Sequence, residues 1–377
     1  MQFRTRRILV FVGSMIGAWT VASFVGLEFI RPLRGQMVAL SSADLIPSDS
    51  LDWRLLRALV AGTSAGLLAS FLELKVLFRK AMRYGTAVML LLRTIAYAAV
   101  ALVSILATAR VVARRDLNVP VQEFLSSEGF QAFLRGPDFA RLLFVLIVAS
   151  FIINAWFQVS RLLGPGTAIQ ILLGRYIRPV EEDRAFLFVD IADSTTLAES
   201  LGPVRFAELK NDFFHDVAEP VLDTGGQIVQ YVGDEVMITW HRRGHRGAAD
   251  SVRCFFMLRE RVQSRAKEYE RRYGLVPHFR AGLHGGQVVV SQLGDLKREI
   301  VFSGDAVNTA SRIQGLCRSL GVDFLASGEV LSRAELPDHV EAAALGERSL
   351  RGRAAPVQLV SLIDSSAAVS EEEASPD

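Results

Sequence analysis

Four stretches of this chain are apolar almost throughout: Ile8–Ile30, Leu55–Phe78, Thr86–Ala109 and Leu142–Leu163. Each approaches or exceeds the roughly 20 residues a helix needs to cross a bilayer, which predicts a four-helix transmembrane domain over residues 1–163. The first stretch follows Arg4, Arg6 and Arg7 as a secretory signal would. Its apolar run is long and no small-residue cleavage site follows, so it reads as a retained helix. Past residue 184 the pattern changes to short apolar runs alternating with helix-period segments. Ala185–Ile191 predicts a buried strand. Ser194–Val221 predicts helix, broken near Gly202-Pro203. Gln227–Val232 and Glu235–Trp240 predict a hairpin turning at Gly233-Asp234. Arg246–Tyr273 and Asp305–Leu320 read as helices, and His278–Leu293, Arg298–Ser303, Val322–Ala326 and Val357–Ile363 as strands. That order predicts an α+β domain over residues 185–364, ferredoxin-like at its core, with helices on one face of the sheet.

Between the two blocks, Gly164-Pro165-Gly166 and Pro179 interrupt helical continuity, so residues 164–184 read as a coupling linker. Residues 365–377, rich in Ser, Ala and Glu, read as a disordered acidic tail. Charge separates the halves further. Residues 1–180 carry 20 Lys and Arg against 9 Asp and Glu, and residues 181–377 carry 22 against 31. The arginines of the basic half punctuate apolar runs, which implies a lipid bilayer as partner and no nucleic acid. The basic N-terminus and the Arg79–Arg83 loop favour the cytosol. The segments 31–57 and 110–141 also hold arginines, so charge alone orients the chain only slightly. An even number of spans puts both ends on one side, and the chemistry of the second half requires that side to be the cytoplasm, giving an integral protein of the inner or plasma membrane.

Cys254 and Cys317 cannot form a disulfide framework and read as small buried helix residues in a reducing compartment. All six histidines lie at or beyond His215, so the spans hold no imidazole for haem. The pairs Gly13/Gly17 and Gly62/Gly66 would let membrane helices approach closely. Arg93, near a span end, is expected to snorkel to the interface. Gly62-Thr63-Ser64-Ala65-Gly66 matches a nucleophile elbow in letters only, because it sits inside an apolar helix.

Candidate chemistry falls in the second half. Asp190 ends the buried strand and Asp234 occupies the hairpin tip, so neighbouring strands would bring two carboxylates to one sheet edge. A divalent cation between them is the natural resolution. Residues 191–196 supply free N–H groups at a helix start, suited to phosphate; Asp193 reads as a cap for that helix. His241 and His245, with Arg242-Arg243-Gly244 between them, read as a solvated loop, and His284 as a packing or hydrogen-bonding group.

Phe188-Val189-Asp190-Ile191-Ala192-Asp193-Ser194-Thr195 and Gly225 through Glu235 resemble the two metal motifs of class III nucleotidyl cyclases. Arg280 through Gly286 resembles the strand pair that follows. Gly304 through Arg312 resembles the transition-state helix of that family, and Leu350-Arg351-Gly352 its phosphate-contacting motif. The resemblance covers about residues 181–363, with five motifs in order. It implies a class III cyclase catalytic domain that converts ATP to cyclic AMP and pyrophosphate: the 3′-hydroxyl attacks the α-phosphorus. Asp190, Asp234 and the Ile191 main-chain carbonyl would hold two Mg²⁺ or Mn²⁺ ions per site. Asn308 would orient the ribose, and Arg312 would stabilise charge on the α-phosphate. Ser194, Thr195 and Gly233 would bind nucleotide. Arg351 would meet the terminal phosphates in place of the family's usual lysine, with charge and bidentate geometry retained. The family's site is shared between subunits, so one catalytic half implies a homodimer.

The base-reading positions depart from the family. Gln230 stands where adenylate cyclases usually have lysine, and Val301 where they have Asp or Thr; guanylate cyclases typically show Glu and Cys. Gln can donate and accept, Val301 can do neither, and ATP is preferred on family frequency with GTP the alternative. A pseudo-cyclase that senses or scaffolds is the reading of another class, and intact Asp190, Asp234, Asn308 and Arg312 argue against it. No G-x-x-x-x-G-K-[ST] occurs, which excludes a P-loop kinase or ATPase.

Overall fold

The computed structural model describes residues 2–29, 51–73, 86–116, 122, 126, 128–163, 173–242, 246–295, 298–332, 334–353 and 355–365. The Arg79–Arg83 loop, the first part of the linker (164–172), His245 and the tail beyond 365 lie outside them. The chain divides into two compact units, Thr5–Leu163 and Met1–Arg4 with Gly164–Asp377.

The first unit is helical: α1 (Gln2–Phe29), α2 (Leu51–Leu72), α3 (Thr86–Asp116), the short α4 (Glu128–Arg135) and α5 (Pro137–Leu163). Among the described residues two segments are long and apolar enough to cross a membrane, Ala87–Ser104 in α3 and Phe139–Val159 in α5. The apolar segments of α1 and α2 are shorter, Phe11–Val25 and Ala58–Leu72. Met15, Trp19, Ala65, Ala69, Met89, Tyr97, Leu142 and Leu146 form the buried interior. Large apolar side chains also cover the outside: Phe71, Leu91, Phe144 and Ile152 are each at least 60% exposed. Of the four glycines, Gly62 and Gly66 meet the α1 backbone, where a Cβ would stand 2.3 Å from Thr20 Cα and 2.6 Å from Ile16 Cα. Gly13 and Gly17 face open space.

Arg93 does not snorkel. It is buried, and its Nη2 meets Glu73 Oε1 at 2.9 Å while Nη1 donates to Gln158 Oε1 at 3.1 Å. Tyr97 Oη donates to the other Glu73 oxygen at 3.0 Å. A carboxylate on α2's last turn gives Arg93 an internal partner, which removes the need to reach for water.

The second unit is built on one sheet. Its elements are β1 (Val180–Ile191), α6 (Ser194–Leu201), α7 (Pro203–Asp223), β2 (Gln227–Val232), β3 (Glu235–His241), α8 (Arg246–Ser264), α9 (Ala266–Tyr273), β4 (Phe279–Leu293), β5 (Glu299–Ser303), α10 (Asp305–Leu320), β6 (Phe324–Ser327), α11 (Gly328–Leu331), β7 (Val340–Arg348) and β8 (Val357–Asp364). Strand order is β2-β3-β1-β4-β6-β8-β7, with β5 paired to β4. The first four strands, all antiparallel to their neighbours, have the ferredoxin-like arrangement.

The expectation of helices on one face is corrected. Ala185, Leu187, Val189 and Ile191 of β1 pack into the cluster with α7 and α8. Phe186 and Phe188 point to the other face and pack with Ala306 and Ala310 of α10. A strand covered on both faces carries a continuous apolar run, and so β1 shows no alternation. Two cysteines are buried as read, Cys254 in α8 and Cys317 in α10, and burial pushes both thiols up to about 12.

Candidate functional site

At the end of β1 a row of charged residues crosses the sheet. Asp190 is opposite Glu235 on β3 and opposite Arg280 on β4. Asp234 lies in the β2–β3 turn, where Gly233 adopts φ +63, a left-handed conformation glycine takes without strain. Asp234 is close enough for its charge to act on the Asp190 carboxyl. Burial first, then the Asp234 charge, pushes Asp190 up to about 6. Burial and the same two carboxylates push Glu235 up to about 7. Gln314 Nε2 donates to Asp190 Oδ2 at 3.3 Å and, with Arg280, opposes the rise.

Ile191, next along β1, is buried, and the Ala192 N–H is taken by the His278 carbonyl at 2.8 Å. Ser194 and Thr195 open α6, half-buried and exposed respectively. Asp193 sits at the cap position in a left-handed conformation with no side-chain cap bond. Its carboxylate instead lies 3.7 Å from Arg280 and 3.6 Å from Arg318.

The other candidates lie on other elements. Gln230 is exposed on β2, just after a bulge in the β2–β3 pairing. Val301 is half-buried on β5, opposite Ser291. Asn308 and Arg312 are one turn apart on α10; Asn308 is exposed. Arg312 packs at Gly352 in the β7–β8 turn, and its Nη1 is buried without a hydrogen-bond partner. Arg351 is exposed in that same turn. Arg353 fastens the turn to α10, with Nε 3.6 Å from Asp305 and Nη1 3.5 Å from Thr309 Oγ1. His284 is buried and shares a 2.6 Å hydrogen bond with Ser327 Oγ; burial and Arg353 hold its pKa down, to about 4.

Among the described residues no group of three or more His, Cys, Asp or Glu side chains is placed to hold a metal ion. Asp190 and Asp234 nevertheless fit a cation of the kind that keeps waters and shares one or two carboxylates with substrate phosphates. Their crowding, expressed in the raised Asp190 pKa, is what such an ion relieves. The unpartnered Arg312 guanidinium fits an anion in the same way.

Residues 179–361 match the family model of the adenylate and guanylate cyclase catalytic domain. The chain carries a class III nucleotidyl cyclase domain. Adenylate cyclase 2 of Rhizobium meliloti (strain 1021) is 42% identical over 205 residues, 54% of this chain and 56% of that protein. Adenylate cyclase 1 of the same organism is 32% identical over 193 residues, 50% of this chain and 28% of that protein. The match thus spans about half of the first relative and less of the second. Among solved structures, the adenylyl cyclase CyaB from P. aeruginosa aligns with a TM-score of 0.44 at 23% identity, over 50% of this chain and 97% of that one.

Two residues of the cyclase domain's acidic row escaped the sequence reading as site residues. Glu235 carried a signal, since the residue after a two-residue turn falls opposite the end of the neighbouring strand. Gln314 carried none, because its reach to Asp190 depends on how α10 sits on β4.

Proposed function

We propose that this chain is a membrane-anchored adenylate cyclase, active as a homodimer, that turns ATP into cyclic AMP and pyrophosphate. The observation that carries the reading is the meeting of Asp190 and Asp234 at one sheet edge, with the Asp190 pKa raised. These carboxylates and the Ile191 carbonyl would hold two divalent cations, Mg²⁺ or Mn²⁺. Bound there, such ions would supply Lewis-acid polarisation of the 3′-hydroxyl oxygen and neutralisation of phosphate charge.

The chain's own residues do the rest. N–H groups at the start of α6, with Ser194, Thr195 and Gly233, cradle phosphate oxygens. Asn308 holds the ribose so that its 3′-oxygen lies in line with the α-phosphorus. Arg312 donates to the α-phosphate as charge builds there, worth roughly 3–4 kcal/mol for a well-placed donor. Arg351 draws the leaving pyrophosphate. Gln230 meets the base edge, and Val301 offers it only van der Waals contact. Arg312 packs at Gly352 with its Nη1 unpartnered among the described residues, and Asn308 is exposed. An exposed Asn308 and an unmatched Arg312 support a site completed by a second copy, each chain giving carboxylates to one site and Asn308 with Arg312 to the other. The apolar exterior of α2, α3 and α5 supports residence in a bilayer; the count of four spans rests on the sequence. The soluble unit would then lie in the cytoplasm, where ATP is.

The test is product formation by detergent-purified full-length protein given Mn²⁺ with ATP or with GTP, products identified by mass spectrometry. Cyclic AMP in the wild type and none in Asp234→Ala is the expected result. Cyclic GMP as the main product would overturn the base assignment, and no cyclic product would overturn the reaction.

A further inference from the structure

Among the described residues, the Gln314 side chain hydrogen-bonds to the acidic pair from α10. Gln314 lies two positions beyond Arg312 on α10, so helical geometry turns it to another side from Asn308 and Arg312. Its Nε2 donates to Asp190 Oδ2 at 3.3 Å. The backbone beneath it is seated on a glycine: a Cβ at Gly282 would stand 2.2 Å from the Gln314 nitrogen and 2.6 Å from the Ala310 oxygen. Gly282 pairs with Phe188, two residues before Asp190 on β1. Near the helix's C-terminal end, Cys317 Sγ donates to the Ala281 carbonyl at 3.2 Å. Helix, seat and carboxylate are therefore fixed with respect to one another.

We propose that Gln314 is a positioning residue for the divalent-cation site, its amide holding one oxygen of Asp190 so that the other stays available to metal. The inference rests on the cyclase reading of Asp190 and Asp234. An uncharged donor suits the place. An ammonium there would compete with the cation, a carboxylate would add to the repulsion among three acids, and an amide favours the ionised Asp190 while leaving the net charge alone. Hydrogen-bond partners that orient metal ligands typically change metal affinity or activity by about 10–100-fold when removed.

The experiment is Mn²⁺ binding to full-length protein in detergent, without nucleotide, followed by the loss of the free-ion paramagnetic resonance signal. Wild type, Gln314→Met, Gln314→Asn and Asp234→Ala are compared. Gln314→Met keeps length without a donor; Gln314→Asn keeps the amide but is one methylene too short to reach. Either variant, if folded, is expected to bind Mn²⁺ roughly tenfold more weakly. In turnover, half-saturation by Mn²⁺ should rise by a similar factor while kcat at saturating Mn²⁺ stays within about twofold, a split that a merely structural role would not give. Unchanged Mn²⁺ affinity, or a fall in kcat with unchanged Mn²⁺ dependence, would overturn the proposal. Wild-type Mn²⁺ binding that survives Asp234→Ala would overturn the metal reading of the acidic pair, and the role of Gln314 with it.

Discussion

The helical unit buries charge and the sheet unit half-buries it, in opposite arrangements. In the first, Glu73 and Arg93 lie 2.9 Å apart, with Tyr97 and Gln158 taking up further hydrogen bonds. In the second, Asp190, Asp234 and Glu235 gather at one strand end, and burial with mutual repulsion pushes Asp190 up to about 6 and Glu235 to about 7. Opposite charges in a low-dielectric interior offset much of their own desolvation. Like charges cannot, and the cost falls only when something from outside arrives. The comparison separates a pair that holds helices together from a cluster whose repulsion a cation would relieve.

The largest expected effect breaks the second arrangement. Asp234→Ala should lower cyclic nucleotide formation by at least about 10³-fold, the scale of losing a principal transition-state stabiliser. It should not lower the thermal midpoint of metal-free protein, because it removes repulsion. A drop in that midpoint together with activity would mean that the acids are structural. Breaking the first arrangement should do the reverse. Arg93→Leu leaves Glu73 buried without its countercharge and should cost about 3 kcal/mol of stability. Glu73→Leu combined with Arg93→Leu should recover at least half of that, as measured by thermal unfolding in detergent. A double variant no better than the single would show that Gln158 and Tyr97, and not the ion pair, carry the contact.

A smaller effect probes the seat between helix and sheet. Gly282→Ala drives a Cβ into the α10 backbone, 2.2 Å from the Gln314 nitrogen. Overpacking of this kind costs about 1–3 kcal/mol, and the helix that must shift carries Asn308, Arg312 and Gln314. Denaturant unfolding and the Mn²⁺ dependence of turnover should therefore change together. Stability lost with no change in Mn²⁺ dependence would separate the seat from the acidic row.

What the sequence discloses follows the range of the interaction. The approach of Asp190 and Asp234 is readable because a hairpin and its neighbouring strand are local constructions with known register. The apolar run Ala185–Ile191 is readable, but β1 begins at Val180, since Glu181, Glu182 and Asp183 do not look like strand until β4 is there to pair with them. β7 is missed altogether. Val-Glu-Ala-Ala-Ala-Leu-Gly-Glu-Arg favours helix by composition, and only its pairing with β8 makes an edge strand of it. The burial of Arg93 depends on Glu73, 20 residues earlier, and the placement of Gln314 on Gly282, 32 residues earlier, so neither shows in a local window.

The smallest effect refines the comparison by asking what a well-matched, largely buried ion pair does near the start of β1. Glu182 accepts from Arg184 Nε at 2.8 Å and Nη2 at 2.7 Å, and from Tyr176 Oη at 2.9 Å. Burial alone would raise its pKa, but the bonds from Arg184 and Tyr176 outweigh it and hold the carboxyl below its ordinary value. A carboxyl whose pKa is depressed by folding adds stability above its unfolded pKa, near 4.3, and that contribution is lost as pH falls through the lower folded value. Wild type should therefore lose stability from this group as pH falls below the unfolded pKa and through the lower folded value. Glu182→Gln should be less stable than wild type at neutral pH and converge on it at the acid end. Thermal unfolding of both proteins across that range measures the gap, and a gap that widens toward acid would reverse the sign assigned to Glu182. Asp190, with its pKa raised, has the opposite sign, gaining stability as pH falls in metal-free protein. Glu182 and Asp190, both on β1, thus titrate against each other, one matched by a cation in the chain and the other crowded by carboxylates.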